Sequence, residues 1–222
     1  MLSELYRPKG WSDFVGQSVI GEIESACADP WNFKGTGLRW LFESDGIAGC
    51  GKTSAAYVAL RALGCVDLDT TRLDSRAVTI ADLRETERTM RTFGWGPMAR
   101  RGYIIDEIQH LSKDCQRMLL GTLENLPEHV AVIGTTTSIT WASEVDGLFS
   151  RWTRFRFRKP KAEDIAVMLE LIADERGLPI PAGFDFLRYV QGRYVGAEDL
   201  CNNVRAAIDQ LPGVLRRIEA AA

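Results

Sequence analysis

Gly46-Ile47-Ala48-Gly49-Cys50-Gly51-Lys52-Thr53, followed by Ser54, spells G-x-x-x-x-G-K-[ST], and its neighbours give that spacing a physical use. Leu38 to Ser44 is strand-like, and Thr53 to Leu63 is rich in Ala and Leu, so the glycines fall on a strand-to-helix turn. There Gly46, Gly49 and Gly51 permit positive φ and close backbone approach. Consecutive N–H groups of the loop can then ring phosphates at the positive end of the next helix. Lys52 is placed to reach the β- and γ-phosphates of a nucleoside triphosphate, and Thr53 to ligate Mg²⁺. The plainer alternative is a glycine-rich turn with a chance lysine.

Some fifty residues on, Tyr103-Ile104-Ile105-Asp106-Glu107 is an apolar strand ending in two adjacent carboxylates. Successive strand residues point opposite ways, and at a strand end the alternation relaxes into a loop. Asp106 can then hold the Mg²⁺ shell while Glu107 turns toward a water in line with the γ-phosphate. The bland alternative is a solvated Asp-Glu pair that merely opens the next loop.

Composition is compatible with this reading. The 222 residues, 45% of them apolar, suffice for one large or two modest domains. A formal charge of −3 argues against a free-standing electrostatic binder of nucleic acid, so any DNA contact must be local. The cysteines at 27, 50, 65, 115 and 201 are odd in number and never in C-x-x-C spacing, which supports neither a disulfide framework nor a zinc site. Met1 to Lys9 lacks the basic-then-apolar order of a signal peptide, and no apolar run is long enough to span a bilayer. The expectation is a cytoplasmic protein, or a phage protein in its host's cytoplasm, with no membrane partner.

Strand-like and helix-like segments alternate along the chain, which favours an α/β fold with a parallel sheet flanked by helices. Strands are expected at 39–44, more weakly near 66–73, and at 103–106, 130–136 and 154–157. Helices are expected at 17–28, 52–63, 79–92 and 113–126. Lys159-Pro160 breaks the pattern. Beyond it Ile165, Met168, Leu169 and Ile172 share one helix face, and Leu200, Val204, Ile208 and Leu211 another. The expected organisation is an α/β nucleotide-binding domain over 1–158 and a small all-helical domain over 159–222.

The order of motifs resembles the clamp-loader ATPases of the AAA+ superfamily, the family of the bacterial tau/gamma subunit and the small subunits of replication factor C. The resemblance runs over nearly the whole chain. Tyr6-Arg7-Pro8-Lys9 with Asp13 to Gln17 is similar to that family's opening segment, which implies that Tyr6, Arg7, Pro8, Val15 and Gly16 meet the adenine base. Asp106 to Ser112 resembles its extended Walker B segment, and Leu119 to Thr137 is the most similar stretch, nearer the bacterial subunit than the eukaryotic ones. Leu148-Phe149-Ser150-Arg151-Trp152 matches its Ser-Arg-Cys motif with Trp in place of Cys.

The resemblance implies a P-loop ATPase with ATP and Mg²⁺ as cofactors, and a helical lid after the sheet domain. Thr137, at the end of an apolar strand, takes the place of sensor 1, where its hydroxyl would meet the γ-phosphate or the attacking water. Arg151 takes the place of an arginine finger, a planar fork worth about 10³–10⁵ in rate when it reaches a neighbouring subunit's γ-phosphate. The alternative for Arg151 is one more charge in the run Arg151, Arg154, Arg156, Arg158, Lys159. Gly196 to Asn203 resembles the sensor 2 segment, but Asp199 stands where arginine is expected; either Arg205 substitutes or closure of the lid is weakened. The family's collar would follow near residue 222, where the chain stops, and the bacterial subunit's zinc cysteines are absent, with only Cys65 in that region, so no metal is expected there.

Expected partners are other AAA+ subunits, self or related, in a ring or arc, together with a sliding clamp or another replication protein and a duplex or primer-template DNA backbone. Thr79 and Ser112 are candidate N-caps for helices carrying Arg84, Arg88 and Arg91, and Lys113 and Arg117, which could meet DNA phosphates. Surface pairing with nearby acids is the plainer reading of those charges. The favoured function is ATP-driven loading of a clamp or remodelling of a replication complex. Its rivals are a catalytically weak nucleotide-binding scaffold and another DNA-directed AAA+ motor, for branch migration or helicase loading.

Overall fold

The computed structural model describes residues 1–29, 33–138, 147–194, 200 and 203–220. The chain forms two compact units, one holding 18–46 and 52–157, the other 1–17, 47–51 and 158–222.

In the first unit, five strands, β1 (Leu38–Glu43), β2 (Thr70–Asp74), β3 (Arg101–Asp106), β4 (Val130–Thr136) and β5 (Thr153–Arg156), all lie parallel in the order β2-β3-β4-β1-β5. Side chains alternate between the faces. Trp40 and Phe42 of β1 pack with Phe155, their ring centroids 5.1 and 5.7 Å away, whereas Leu41 joins Tyr103, Ile105, Val130 and Val132 on the other side. Burial on both faces is why β3 and β4 read as unbroken apolar runs. The weak strand expected near 66–73 begins later, because Asp67–Asp69 winds into a 3₁₀ turn first, and most of β2 is exposed.

Helices cover both faces. α2 (Val19–Cys27) and α3 (Lys52–Ala62) pack together on one, where α3 touches β1, β3 and β4. On the other, α4 (Ile80–Met90) contributes Leu83 and Met90, and α5 (Lys113–Glu124) contributes Cys115, Leu119 and Leu123. Both of these helices start at side-chain caps. Thr79 Oγ1 accepts from Asp82 N while the Asp82 carboxylate accepts from Thr79 N, and Ser112 Oγ accepts from Cys115 N at 3.2 Å.

The register places Glu43 opposite Thr136, Gly134 opposite Ile105, and Asp106 opposite Asp74, so the carboxyl ends of four strands meet along one edge. Ligands of open parallel sheets bind outside that edge.

The second unit is helical: α1 (Leu2–Leu5), α6 (Ala162–Glu175), α7 (Phe186–Val190) and α8 (Val204–Glu219). Ile165, Leu169 and Ile172 pack with Tyr189, Ile208, Leu211 and Leu215, and the Tyr189 hydroxyl donates to Ala207 O at 2.9 Å. Residues 1–17 belong to this unit, tied in where Ser3 N and Oγ donate to the Asp209 carboxylate at 2.8 and 2.7 Å. Leu200, expected on the face of the last helix, lies before it. The Asn203 side chain accepts from Ala206 N and starts α8 at Val204, while Leu200 stays buried in the same core. Asp199 and the rest of 195–199, with Cys201 and Asn202, lie outside the described residues. No helix among the described residues is long and apolar enough to cross a membrane.

Gly37 donates its N–H to Leu126 O and leads into β1, and a Cβ there would lie 2.5 Å from Pro127 O. Backbone cannot yield as a side-chain tip can, so Gly37→Ala is expected to cost about 1–3 kcal/mol. A urea-unfolding midpoint equal to that of the wild type would contradict this close approach.

Candidate nucleotide site

β1 ends at Glu43, and the chain then turns through the glycine-rich loop into α3, which begins at Lys52. Gly46, Gly49 and Gly51 take φ of +66°, +67° and +97°, a region in which an L side chain is strained. Space is short as well at Gly49 and Gly51, though not at Gly46. A Cβ on Gly49 would lie 2.3 Å from Asn203 Oδ1 and 3.4 Å from Arg205 Cβ, and one on Gly51 would lie 3.2 Å from the Phe14 ring. Cys50 is buried, and its Sγ lies 3.7 Å from Ile47 O. Ser54 is buried in the first turn of α3.

The carboxylates belong to the sheet unit. Asp106 Oδ1 accepts from Thr53 Oγ1 at 2.8 Å and from Thr135 Oγ1 at 2.6 Å, while Oδ2 accepts from both Nε and Nη2 of Arg72, Nε at 3.1 Å. Burial pushes the Asp106 carboxyl up, but the hydrogen bonds from Thr135, Thr53 and Arg72, with the arginine's charge, hold it below the usual carboxylate value. Nearby, the buried Lys52 donates from Nζ to Ser44 Oγ at 2.7 Å.

Glu107 has φ 56° and ψ 52°, left-handed backbone that costs a non-glycine residue about 1–2 kcal/mol. It is held there from both ends, its N–H donating to Thr135 Oγ1 at 3.0 Å and its C=O accepting from His110 N at 2.9 Å. Its Oε2 accepts from Thr137 Oγ1 at 3.0 Å and from Gln109 Nε2. The sheet edge therefore gathers Thr53, Asp106, Glu107 and Thr137.

Other expected residues are placed elsewhere. Arg151 is half exposed and pairs with Glu124 through Nε at 3.1 Å and Nη2 at 2.6 Å, and its neighbour Arg154 makes a two-pronged pair with Glu43. Arg84, Arg88 and Arg91 are exposed on and just past α4, with Arg88 paired to Glu85. Lys113 opens α5, and Arg117 pairs with Asp114 at 3.1 Å. In the helical unit Tyr6, Arg7, Val15 and Gly16 share one cavity of about 550 Å³ with Met168 and Ile172 of α6; Pro8 is not among its lining residues. Local sequence gives Arg72, Thr135 and Gln109 no individual role, and gives Asn203 only its place in the sensor 2 segment. The Thr135-Thr136-Thr137 run at a strand end was the available signal for one of them, whereas Arg72 sits in a strand with no apolar pattern to betray it.

These residues fit a nucleoside triphosphate with Mg²⁺. The loop glycines hold positive φ, which allows close backbone approach to phosphate, and within the sheet unit the Thr53 hydroxyl and the Asp106 carboxylate lie 2.8 Å apart. Among the described residues no three His, Cys, Asp or Glu side chains gather into a protein-only cage. Mg²⁺ needs none, since it takes one or two carboxylates together with phosphate and water.

Known proteins resemble the chain in fold and in sequence. No family model matches the chain. Thermotoga maritima RuvB, a Holliday junction branch migration motor, has a similar fold, with a TM-score of 0.68 at 17% identity, covering 96% of this chain and 67% of RuvB. The chain thus shares the fold of RuvB, a parallel sheet flanked by helices. In sequence the chain is 28% identical to DNA polymerase III subunit tau of Bacillus subtilis over 204 residues, 82% of this chain and 35% of tau. It is 27% identical to subunit gamma of Buchnera aphidicola over 80% of this chain and 53% of gamma, and 28% identical to Protein STICHEL-like 3 of Arabidopsis thaliana over 88% of this chain and 19% of that protein. Over most of its length the chain is thus similar in sequence to bacterial DNA polymerase III tau and gamma subunits. It spans about half or less of the length of these three relatives.

Because Asp106 titrates lower folded than unfolded, its contribution to stability is in place above the unfolded value of 3.8 and fades as pH falls below it. Asp106→Asn is expected to unfold at a lower urea concentration than wild type at pH 7, with the gap closing as the pH drops from about 4 toward about 2. A gap of constant size across that range would contradict the assignment.

Proposed function

We propose that the chain is a Mg²⁺-dependent, DNA-directed ATPase of the clamp-loader type, which couples ATP binding and hydrolysis to loading a sliding clamp or remodelling a replication complex. One observation carries the reading: Thr53 and Asp106 are hydrogen-bonded beside a conformationally constrained Glu107 that is itself bonded to Thr137. Metal-holding and water-facing groups thus stand side by side at the carboxyl edge of the sheet.

In this reading the loop 46–54 takes the triphosphate through its N–H groups, and Lys52 exchanges Ser44 for phosphate oxygen. Thr53 and Asp106 would hold Mg²⁺, partly through water, and the ion would neutralise charge on the phosphates. Glu107 orients the attacking water and draws on its proton, and Thr137 fixes that water or the γ-phosphate. Tyr6, Arg7, Pro8, Val15 and Gly16 are assigned to the base on the resemblance, four of them supported by a shared cavity. Arg151 is the finger offered to another subunit, and its pairing with Glu124 is the contact it would leave. Arg84, Arg88, Arg91, Lys113 and Arg117 are the proposed contacts to a DNA backbone. Residues 1–158 and 159–222 are proposed as nucleotide-binding portion and lid, acting in the cytoplasm within a ring or arc of AAA+ subunits.

The experiment is ATP turnover with and without primed DNA. Glu107→Gln is expected to bind ATP as wild type does while turnover falls by about 10²-fold or more. Turnover within a few-fold of wild type would remove Glu107 from the chemistry, and a wild-type chain that binds ATP without turning it over would be a scaffold instead. Arg151→Ala is expected to lose stimulated turnover and to regain it when mixed with Lys52→Ala, which supplies the arginine. Absence of recovery would overturn a finger acting between subunits.

A further inference from the structure

We propose that Gln109 is a positioning residue for hydrolysis, a primary amide that locks one oxygen of Glu107 to Thr137 and leaves the other to face water. The inference rests on the reading of Glu107 given above.

Gln109 lies two residues beyond Glu107, in the 3₁₀ turn Ile108–His110. Its Nε2 donates to Glu107 Oε2 and, at 2.9 Å, to Thr137 Oγ1, while Thr137 Oγ1 donates to the same Oε2 at 3.0 Å. On its other side, Gln109 Oε1 accepts from Thr136 Oγ1 at 2.7 Å. The protons account for every bond of the triangle. The amide has two, one for Glu107 and one for Thr137, and the Thr137 hydroxyl gives its single proton to the carboxylate. Turning the amide over would set its carbonyl oxygen against a carboxylate oxygen, two acceptors facing each other, so chemistry fixes the orientation.

The consequence is asymmetry in Glu107. Oε2 carries both donors, whereas Oε1 has no hydrogen-bond partner among the described residues. A glutamate side chain has three rotatable bonds, and its left-handed backbone alone does not choose among their rotamers. The bridging amide does. It also ties the end of β4 to the 3₁₀ turn after β3, bridging Thr137 and Glu107.

The test is steady-state ATP turnover of Gln109→Met, which preserves length and bulk but removes the amide. kcat is expected to fall about 10–100-fold, as when an outer partner of a reacting group is removed, with KM for ATP within about two-fold and an unchanged unfolding midpoint. Gln109→Asn keeps the amide one methylene short and is expected to lose kcat in the same direction. Because Gln109 acts through Glu107, adding Gln109→Met to Glu107→Gln is expected to cost nothing further. A Gln109→Met kcat within two-fold of wild type, or an equal fold-loss in the Glu107→Gln background, overturns the proposal while the ATPase reading stands. Absence of turnover in the wild-type chain overturns both.

Discussion

The carboxylate of Asp106 is the constraint around which the rest of the sheet edge is arranged. It draws donors from three elements, Thr53 on α3, Thr135 on β4 and Arg72 on β2, so strand order is expressed in a single side chain. A buried carboxylate without such donors would protonate or disturb its surroundings, because desolvation disfavours its charge. With them it stays ionised, and the beginning of α3 is fixed against β3 and β4. The helix that carries Lys52 and Thr53 is therefore held by the same group that is proposed to hold metal.

Three consecutive threonines extend this arrangement to the next strand. Thr135 donates to Asp106 and accepts the Glu107 N–H, Thr136 donates to Gln109, and Thr137 donates to Glu107. Each hydroxyl meets a different part of the Asp106–Gln109 segment because β3 and β4 are parallel and in register, so β4 rises beside the turn that leaves β3. An apolar residue at 135 or 136 would keep the strand and lose the connection, since a Thr-to-Val change preserves shape but not hydrogen bonding.

How much of this was legible follows from the range of each interaction. The phosphate loop, the Asp-Glu pair and the long periodic helices are local patterns, and the sheet, the caps at Thr79 and Ser112 and the edge position of Asp106 agree with them. β2 was nearly invisible because an exposed edge strand carries no apolar signature; its residues are Thr70-Thr71-Arg72-Leu73-Asp74. Arg72, Thr135 and Gln109 acquire meaning only from strands distant in sequence, and a lone arginine or glutamine gives no hint of which carboxylate it will meet. The surface arginines of α4 and α5 show the converse. Their spacing was legible, yet Arg88 and Arg117 each found an acid three residues away, the ordinary fate of charges on an exposed helix.

The left-handed backbone at Glu107 sets stability against the chemistry proposed for its side chain, at a single codon. A glycine there would relieve the conformational penalty, so selection for heat resistance alone would drift away from the acid. Libraries built to harden this scaffold should therefore hold position 107 constant, since the most thermostable survivors would otherwise be enriched in molecules lacking the carboxylate to which water activation is assigned under the proposed function.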